Sequence, residues 1–345
     1  MTTAKLTIDH SAIVENWRTL NTLSESETGA VVKANAYGLD AASIAHSLAR
    51  VGVFSFFVAI ASEGSVIRDS IGPKPEIYVF AGHMRGETEK LTKHRLIPIL
   101  NSSEQLRLHL SLIPDHPFAI QLDTGMNRLG MEPEEWLSVR EKALSRNPVL
   151  MMSHLACSDT PSDSTNAMQL KAFKEMTDGL DIPKSFAATG GILMGSEYHF
   201  DVTRPGIGLY GGSPFSQAKP VVRLDVSVIQ TRELKVGEAV GYGNAWVASR
   251  PTRIATIAAG YADGIVRTIG SKGFVFYDNI ACPIVGRVSM DLTTIDITEL
   301  DHMPQTLNLI GPHQTIDDLA KAAGTIGYEI LTSLGERYDR NKIAP

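Results

Sequence analysis

From residue 30 to about 213, short apolar runs alternate with longer segments whose apolar positions recur at helical spacing. The runs are "AVVKA", "FFVAIA", "EIYVF", "LIPIL", "FAIQLD", "VLMMSHLA", "SFAAT" and "FDVTRPG". Between them lie stretches such as "DAASIAHSLARVG" (40–52), "SSEQLRLHLSLI" (102–113) and "EPEEWLSVREKALSR" (132–146). In the last, Trp136, Val139 and Leu144 stand at roughly helical spacing. Eight strands, each followed by a helix or a short turn, predict an α/β fold of the (β/α)₈ TIM-barrel type over residues 10–213. "LIPIL", with its Pro98, is the least strand-like run.

After residue 214 the texture changes. "VVRLDVSVIQTREL", "TRIATIAAGYADG" and "GFVFYDNIACPIVGRVSMDLTTIDIT" are rich in β-branched residues and are separated by turn signals such as "KVGEAVGYGN". They predict a second, smaller, mostly β domain over 214–345, joined by an N-terminal strand from residues 1–9. "SPFSQAKP" (213–220) reads as the linker, and "TIDDLAKAAGTIGYEILTSL" as helical.

Composition narrows the partners. The 345 residues are 43% hydrophobic and 20% charged, within the usual globular range. A formal net charge of −6 leaves no footprint for nucleic acid. The histidines show no metal-ligand spacing. Two cysteines, Cys157 and Cys282, fit a reducing compartment rather than a disulfide scaffold. The opening "MTTAKLTIDHSAIVENW" lacks a basic start followed by an apolar core, and "VGVFSFFVAIA" is too short to span a bilayer. The expectation is a cytoplasmic protein with no membrane partner.

The stretch "AVVKANAYGLD" delivers Lys33 to the end of the first apolar run. A lysine there is a surface charge or a nucleophile. In a barrel, the C-terminal ends of strands carry chemistry. Asp123 and Arg128 follow the fifth run, His154 ends the sixth, Thr189 the seventh and Arg204 the eighth, so all should converge with Lys33 on one rim. "AATGGIL" and "RPGIGLYGG" place small residues where barrels commonly bind phosphate. A phosphate-bearing cofactor joined to lysine follows, and pyridoxal phosphate fits, because it forms a Schiff base with lysine and acts as an electron sink.

The motifs "VVKANAYG", "DTGMNRLG", "RPGIGLYG", "GYADG" and "GRVSMD" resemble those of alanine racemases, in the same order and over nearly the whole chain. The resemblance implies a pyridoxal-phosphate isomerase that interconverts L- and D-alanine by two bases. It also implies a head-to-tail homodimer in which the β domain of one chain completes the active site of the other. Residue by residue, it implies that Lys33 holds the cofactor and is one base, and that Tyr261 of the partner chain is the second. Tyr37, Thr189 and the Gly206–Ile207 backbone would bind the phosphate. Arg204 would face the pyridine nitrogen, and His154 would link the second base towards Arg204. Arg128 and the Met290 backbone would bind the substrate carboxylate, with Gln121, Arg287 and Asp291 in support. No metal is implied.

Two opposed bases suit removal of a proton from one face of a planar carbon and its return to the other. An arginine at the pyridine nitrogen donates hydrogen bonds without giving up its proton, so the ring stays neutral and side reactions are limited. Three positions depart from the family pattern. Gln121 stands where many members carry a carbamylated lysine, and it is expected to accept a hydrogen bond from Arg128. Thr189 replaces a common serine. Glu336 stands where a phosphate-binding tyrosine is usual, and it receives no role. Alternatives are a racemase of another small amino acid such as serine, a barrel decarboxylase using the same cofactor, a non-catalytic cofactor-binding protein and a Schiff-base aldolase. Biosynthesis of D-alanine and catabolism of L-alanine both remain open.

Overall fold

The computed structural model describes residues 4–345. The described chain forms two compact units. One runs from residue 14 to Leu209 and includes Pro214–Gln217; the other holds the residues up to Ile13, Tyr210–Ser213 and Ala218–Pro345.

In the first unit, seven parallel strands pair in chain order: Ala30–Val31, Ser55–Val58, Glu76–Val79, Ile97–Leu100, Ala119–Gln121, Leu150–Met152 and Lys184–Ser185. The eighth run closes the ring. On one side Asp201 and Arg204 donate their N–H groups to Lys184 and Ala187 (2.9 and 2.8 Å). On the other, Gly29 and Val31 donate to Thr203 and Pro205 (both 2.9 Å). Val202–Thr203 also pairs in parallel with Glu27–Thr28. The predicted (β/α)₈ barrel is therefore present. The Ser55–Val58 and Ile97–Leu100 strands are buried at every position, as expected for a parallel sheet covered on both faces. Pro98 is accommodated because the pairing to the following strand uses Ile99 and Leu100.

Local chemistry sets the helices between the strands. Ser102 accepts from the Gln105 N–H (3.2 Å) at the start of Ser103–Leu112, and Asp163 accepts from Thr165 (2.8 Å) at the start of Ser164–Met176. Pro133 opens Pro133–Leu144, where its missing N–H costs no bond. Trp136 and Ala143 are the buried residues of that helix, while Val139 and Leu144 are only half-buried. The Trp136 indole donates to the Met176 carbonyl at 3.1 Å, which ties two neighbouring helices together.

The second unit is built on an eight-stranded sheet. Its spine is Val222–Leu234, which pairs antiparallel with Ala4–Asp9, Thr252–Ile257 and Thr306–Ile310. The early strand thus joins the β unit rather than the barrel; the first three of residues 1–9 lie outside the described residues. The helix His10–Leu23 begins in this unit. The segment read as one late helix is two, Ile316–Ala323 and Gly327–Thr332. Gly324 ends the first in the left-handed region (φ +76°), where a glycine costs little. No helix of the described residues is long and apolar enough to cross a membrane.

Candidate active site

The strand carrying Lys33 ends at Val31, and the chain then turns the wrong way. Ala34, Asn35, Ala36 and Tyr37 all lie in the left-handed region, with φ of 51, 54, 53 and 55°. Each such residue costs about 1–2 kcal/mol, so four in succession require compensation from their surroundings. Ala36 and Tyr37 are buried, and the Glu63 carboxylate accepts from the Ala34 N–H at 2.8 Å with one oxygen and from the Ala59 N–H at 2.8 Å with the other. Lys33 ends 5.8 Å from the centre of the Phe80 ring. Its amine is held below its ordinary pKa, first by burial and then by the Arg128 cation, against the opposing pull of Glu63.

Arg204 is 1% exposed and has no carboxylate among its described partners. It donates to the Ser185 hydroxyl, to the Ser153 carbonyl (2.8 Å) and to His154 Nδ1 (3.4 Å). Desolvation lowers its pKa to about 9, which leaves the guanidinium charged at neutral pH. His154 is pushed down to about 3 by desolvation and then by the Arg204, Arg128 and Lys33 cations. It is therefore neutral. Because a guanidinium only donates, Nδ1 must accept, and the imidazole proton sits on Nε2.

Thr189 opens the helix Thr189–Met194, and its hydroxyl oxygen accepts from the Gly206 and Gly208 N–H groups (3.1 and 3.2 Å). Having accepted twice, the hydroxyl keeps its own proton to donate. A Cβ at residue 206 would meet the Tyr37 hydroxyl, so the bare glycine lets that hydroxyl come close to the backbone before Ile207.

In the other unit, Tyr261–Asp263 form a single 3₁₀ turn between Gly260 and Gly264. The Tyr261 and Ala262 N–H groups donate to the carbonyls of Ser289 and Met290 (3.0 and 2.9 Å). A Cβ on Gly260 would strike those same two carbonyls. Tyr261 and Met290 are 43% and 54% exposed with the rest of their own chain present.

The chain matches the family descriptions "Alanine racemase, N-terminal domain" over residues 8–214 and "Alanine racemase, C-terminal domain" over 221–342. It is 55% identical to the alanine racemase of Dinoroseobacter shibae over 343 residues, which cover 99% of this chain and 98% of that protein. The chain belongs to the alanine racemase family. It is 56% identical to the alanine racemase of Cereibacter sphaeroides, over 99% of this chain and 98% of that one. A crystal structure of alanine racemase from Bartonella henselae with covalently bound pyridoxal phosphate superposes with a TM-score of 0.95. It is 39% identical, over 99% of this chain and all of that one.

Gln121 does not meet Arg128 among the hydrogen bonds of the described residues; its amide donates to the Leu122 carbonyl at 3.4 Å. The reason lies in the loop between them. Asp123 accepts three N–H groups, from Gly125, Met126 and Asn127 (2.8, 3.0 and 3.2 Å), and curls the chain so that Met131 returns to the Gln121 carbonyl (2.9 Å). That puts Gly130, where a Cβ would lie 2.9 Å from Gln121 Cγ, over the glutamine and leaves Arg128 exposed on the loop. Arg287 lies against Gly243, where a Cβ would be 3.2 Å from its Nη1. Asp291 receives Arg337 at 2.8 Å.

Reading the sequence missed Glu63 and Gln169. The buried Gln169 side chain holds the His154 carbonyl (2.9 Å), the Ala156 N–H (2.8 Å) and the Thr124 hydroxyl (3.1 Å), fixing two rim loops at once. Both residues lie on helices, away from the strand ends that attract attention. Their only signal in the chain is a polar residue on an otherwise inward helical face.

Proposed function

We propose that this chain interconverts L- and D-alanine with pyridoxal phosphate held at Lys33. Lys33 acts as one base, and Tyr261 of a second copy acts as the other. The observation that carries the reading is the buried Arg204, which donates to His154 Nδ1 at 3.4 Å and stands two residues before Gly206, whose N–H the Thr189 hydroxyl accepts.

The residues present fit the cofactor. The Thr189 hydroxyl has a proton to donate, Tyr37 lies against the bare backbone of Gly206, and the Gly206–Ile207 segment begins two residues after Arg204. These would take the phosphate. The buried Arg204 donor set suits a neutral ring nitrogen, which accepts a hydrogen bond but takes no proton from a guanidinium. When bound, pyridoxal phosphate supplies an electron sink for the pair left at the α-carbon.

The chain's own groups then divide the work. Lys33, with its pKa lowered, offers a neutral amine closer to neutrality and moves the proton on one face. The Tyr261 phenol moves it on the other. His154 accepts from Arg204 at Nδ1, so its Nε2–H is the donor available to steady the phenolate. Arg128, exposed at the tip of the Asp123-ordered loop, takes the substrate carboxylate. The Met290 carbonyl is occupied by Ala262, so its N–H is what it can contribute. The two exposed groups, Tyr261 and Met290, are the ones we assign to the partner's site. This makes the working form a homodimer. We assign it to the cytoplasm, where the free thiols Cys157 and Cys282 stay reduced.

Either alanine enantiomer, supplied alone, should be carried to an equal mixture, and cofactor-stripped protein should do so only after pyridoxal phosphate is restored. Release of carbon dioxide in place of racemisation would overturn the reading in favour of a decarboxylase.

A further inference from the structure

Arg337 is the group that joins the three segments around Tyr261. Its Nε and Nη2 donate to the two carboxylate oxygens of Asp263 (2.6 and 2.8 Å), and its Nη1 donates to Asp291 (2.8 Å). Asp263 is the last residue of the Tyr261 turn and is 3% exposed. Its carboxylate also accepts from the Gly260 N–H at 2.9 Å, and its carbonyl from Gly335 at 3.1 Å. Asp291 follows Met290, on the loop whose carbonyls hold the Tyr261 and Ala262 N–H groups.

We propose that Arg337 is a positioning residue for the reaction: a two-pronged clamp that locks the Tyr261 turn onto the Met290 loop and so fixes where the second base stands. The planar guanidinium is needed because one edge must grip Asp263 bidentately while the remaining nitrogen reaches Asp291. A lysine can satisfy one carboxylate at a time. The clamp also neutralises the buried Asp263 charge, which would otherwise stand unpaired two residues from a phenol that must ionise. Arg337 itself is about half exposed and touches neither base, so its effect passes entirely through these two carboxylates.

This inference rests on Tyr261 being a base, and the test separates the two. α-Hydrogen exchange of each alanine enantiomer into deuterated water is followed in the cofactor-loaded enzyme. Tyr261→Phe should stop exchange for one enantiomer and spare the other, which identifies the enantiomer served by Tyr261; equal exchange of both would remove Tyr261 as a base. Arg337→Ala should then slow exchange of that same enantiomer by about 10- to 100-fold, the cost of a reacting group misplaced by about an ångström. The visible absorption of the Lys33-bound cofactor should stay unchanged. Arg337→Lys should recover part of the loss. Asp291→Ala removes one prong at an exposed side chain and should give a smaller loss with the same selectivity, so the idea stays testable if Arg337→Ala does not fold. Equal slowing of both enantiomers, or no slowing in either variant, would overturn the clamp.

Discussion

The two turns that present Lys33 and Tyr261 solve the same problem in opposite ways. Lys33 enters four successive left-handed residues, none of them glycine, and two of them, Ala36 and Tyr37, are buried. The backbone there is strained and is held by packing and by one carboxylate, Glu63. Tyr261 sits in an unstrained 3₁₀ turn bounded by Gly260 and Gly264, and it is held by an ion-pair clamp while its ring remains exposed. Strain is affordable where the barrel core over-determines the conformation. On a turn whose tyrosine faces outward, glycine and charge do the positioning. Lys33 is therefore built into its own unit, and Tyr261 is presented outward.

The comparison breaks most visibly at the bases. Lys33→Ala should remove activity and the visible band of bound cofactor together. Tyr261→Phe should keep the band while losing about 10²–10⁴-fold in rate, the usual contribution of a positioned general base. Loss of the band in Tyr261→Phe would mean that the two turns are not independent. Arg204→Glu comes next. A carboxylate in place of the buried guanidinium would favour the protonated form of a bound ring nitrogen, so racemisation should fall while transamination products and a new long-wavelength absorption appear. A variant that is slow but spectrally unchanged would contradict the role given to Arg204.

Glu63→Gln should cost roughly tenfold in kcat/KM, the difference between charge-assisted and neutral hydrogen bonds on the Ala34 and Ala59 N–H groups. It also carries a sign. Glu63 raises the Lys33 pKa, so removing its charge should shift the pH midpoint for acylation of the Lys33 amine, in cofactor-free protein, downward. Arg128→Ala should shift it upward. Midpoints that move together would refute this electrostatic account of the lysine turn.

How much of this was legible in the chain depends on which force fixes each part. The barrel strands were readable because parallel strands buried on both faces leave continuous apolar runs, as in "FFVAIA" and "LIPIL". Lys33, His154 and Arg204 were readable because barrel geometry sends strand ends to one rim. The left-handed turn was not, since "KANAYG" carries a single glycine and its four positive φ values at non-glycine residues are imposed from outside by Glu63 and by the burial of Ala36 and Tyr37. Arg337 was invisible for the same reason. Its meaning depends on Asp263 and Asp291, which are 74 and 46 residues away. The Gln121 expectation failed because a seven-residue spacing said nothing about the curl that Asp123 imposes between the two ends.

The smallest expected effect follows from that correction. Since Gln121 bonds to Leu122 rather than to Arg128, Gln121→Ala should change KM for alanine by less than about twofold, below the ~1 kcal/mol of an ordinary hydrogen bond. Activity should be indifferent to removal of dissolved carbon dioxide, since a glutamine forms no carbamate. A large rise in KM would show that Gln121 does hold Arg128 in the working enzyme.

The central claim is that the inward base and the outward base of one active site come from different chains, and subunit mixing tests it most directly. Lys33→Ala and Tyr261→Ala proteins should each be inactive on their own. In a two-fold dimer that combines them, one site carries both defects and the other carries neither. Random exchange of equal amounts should therefore restore about one quarter of wild-type activity, half of the dimers being mixed and each having one intact site of two. A verified mixed dimer with no recovered activity would show that Lys33 and Tyr261 of the same chain act together, and would contradict the account.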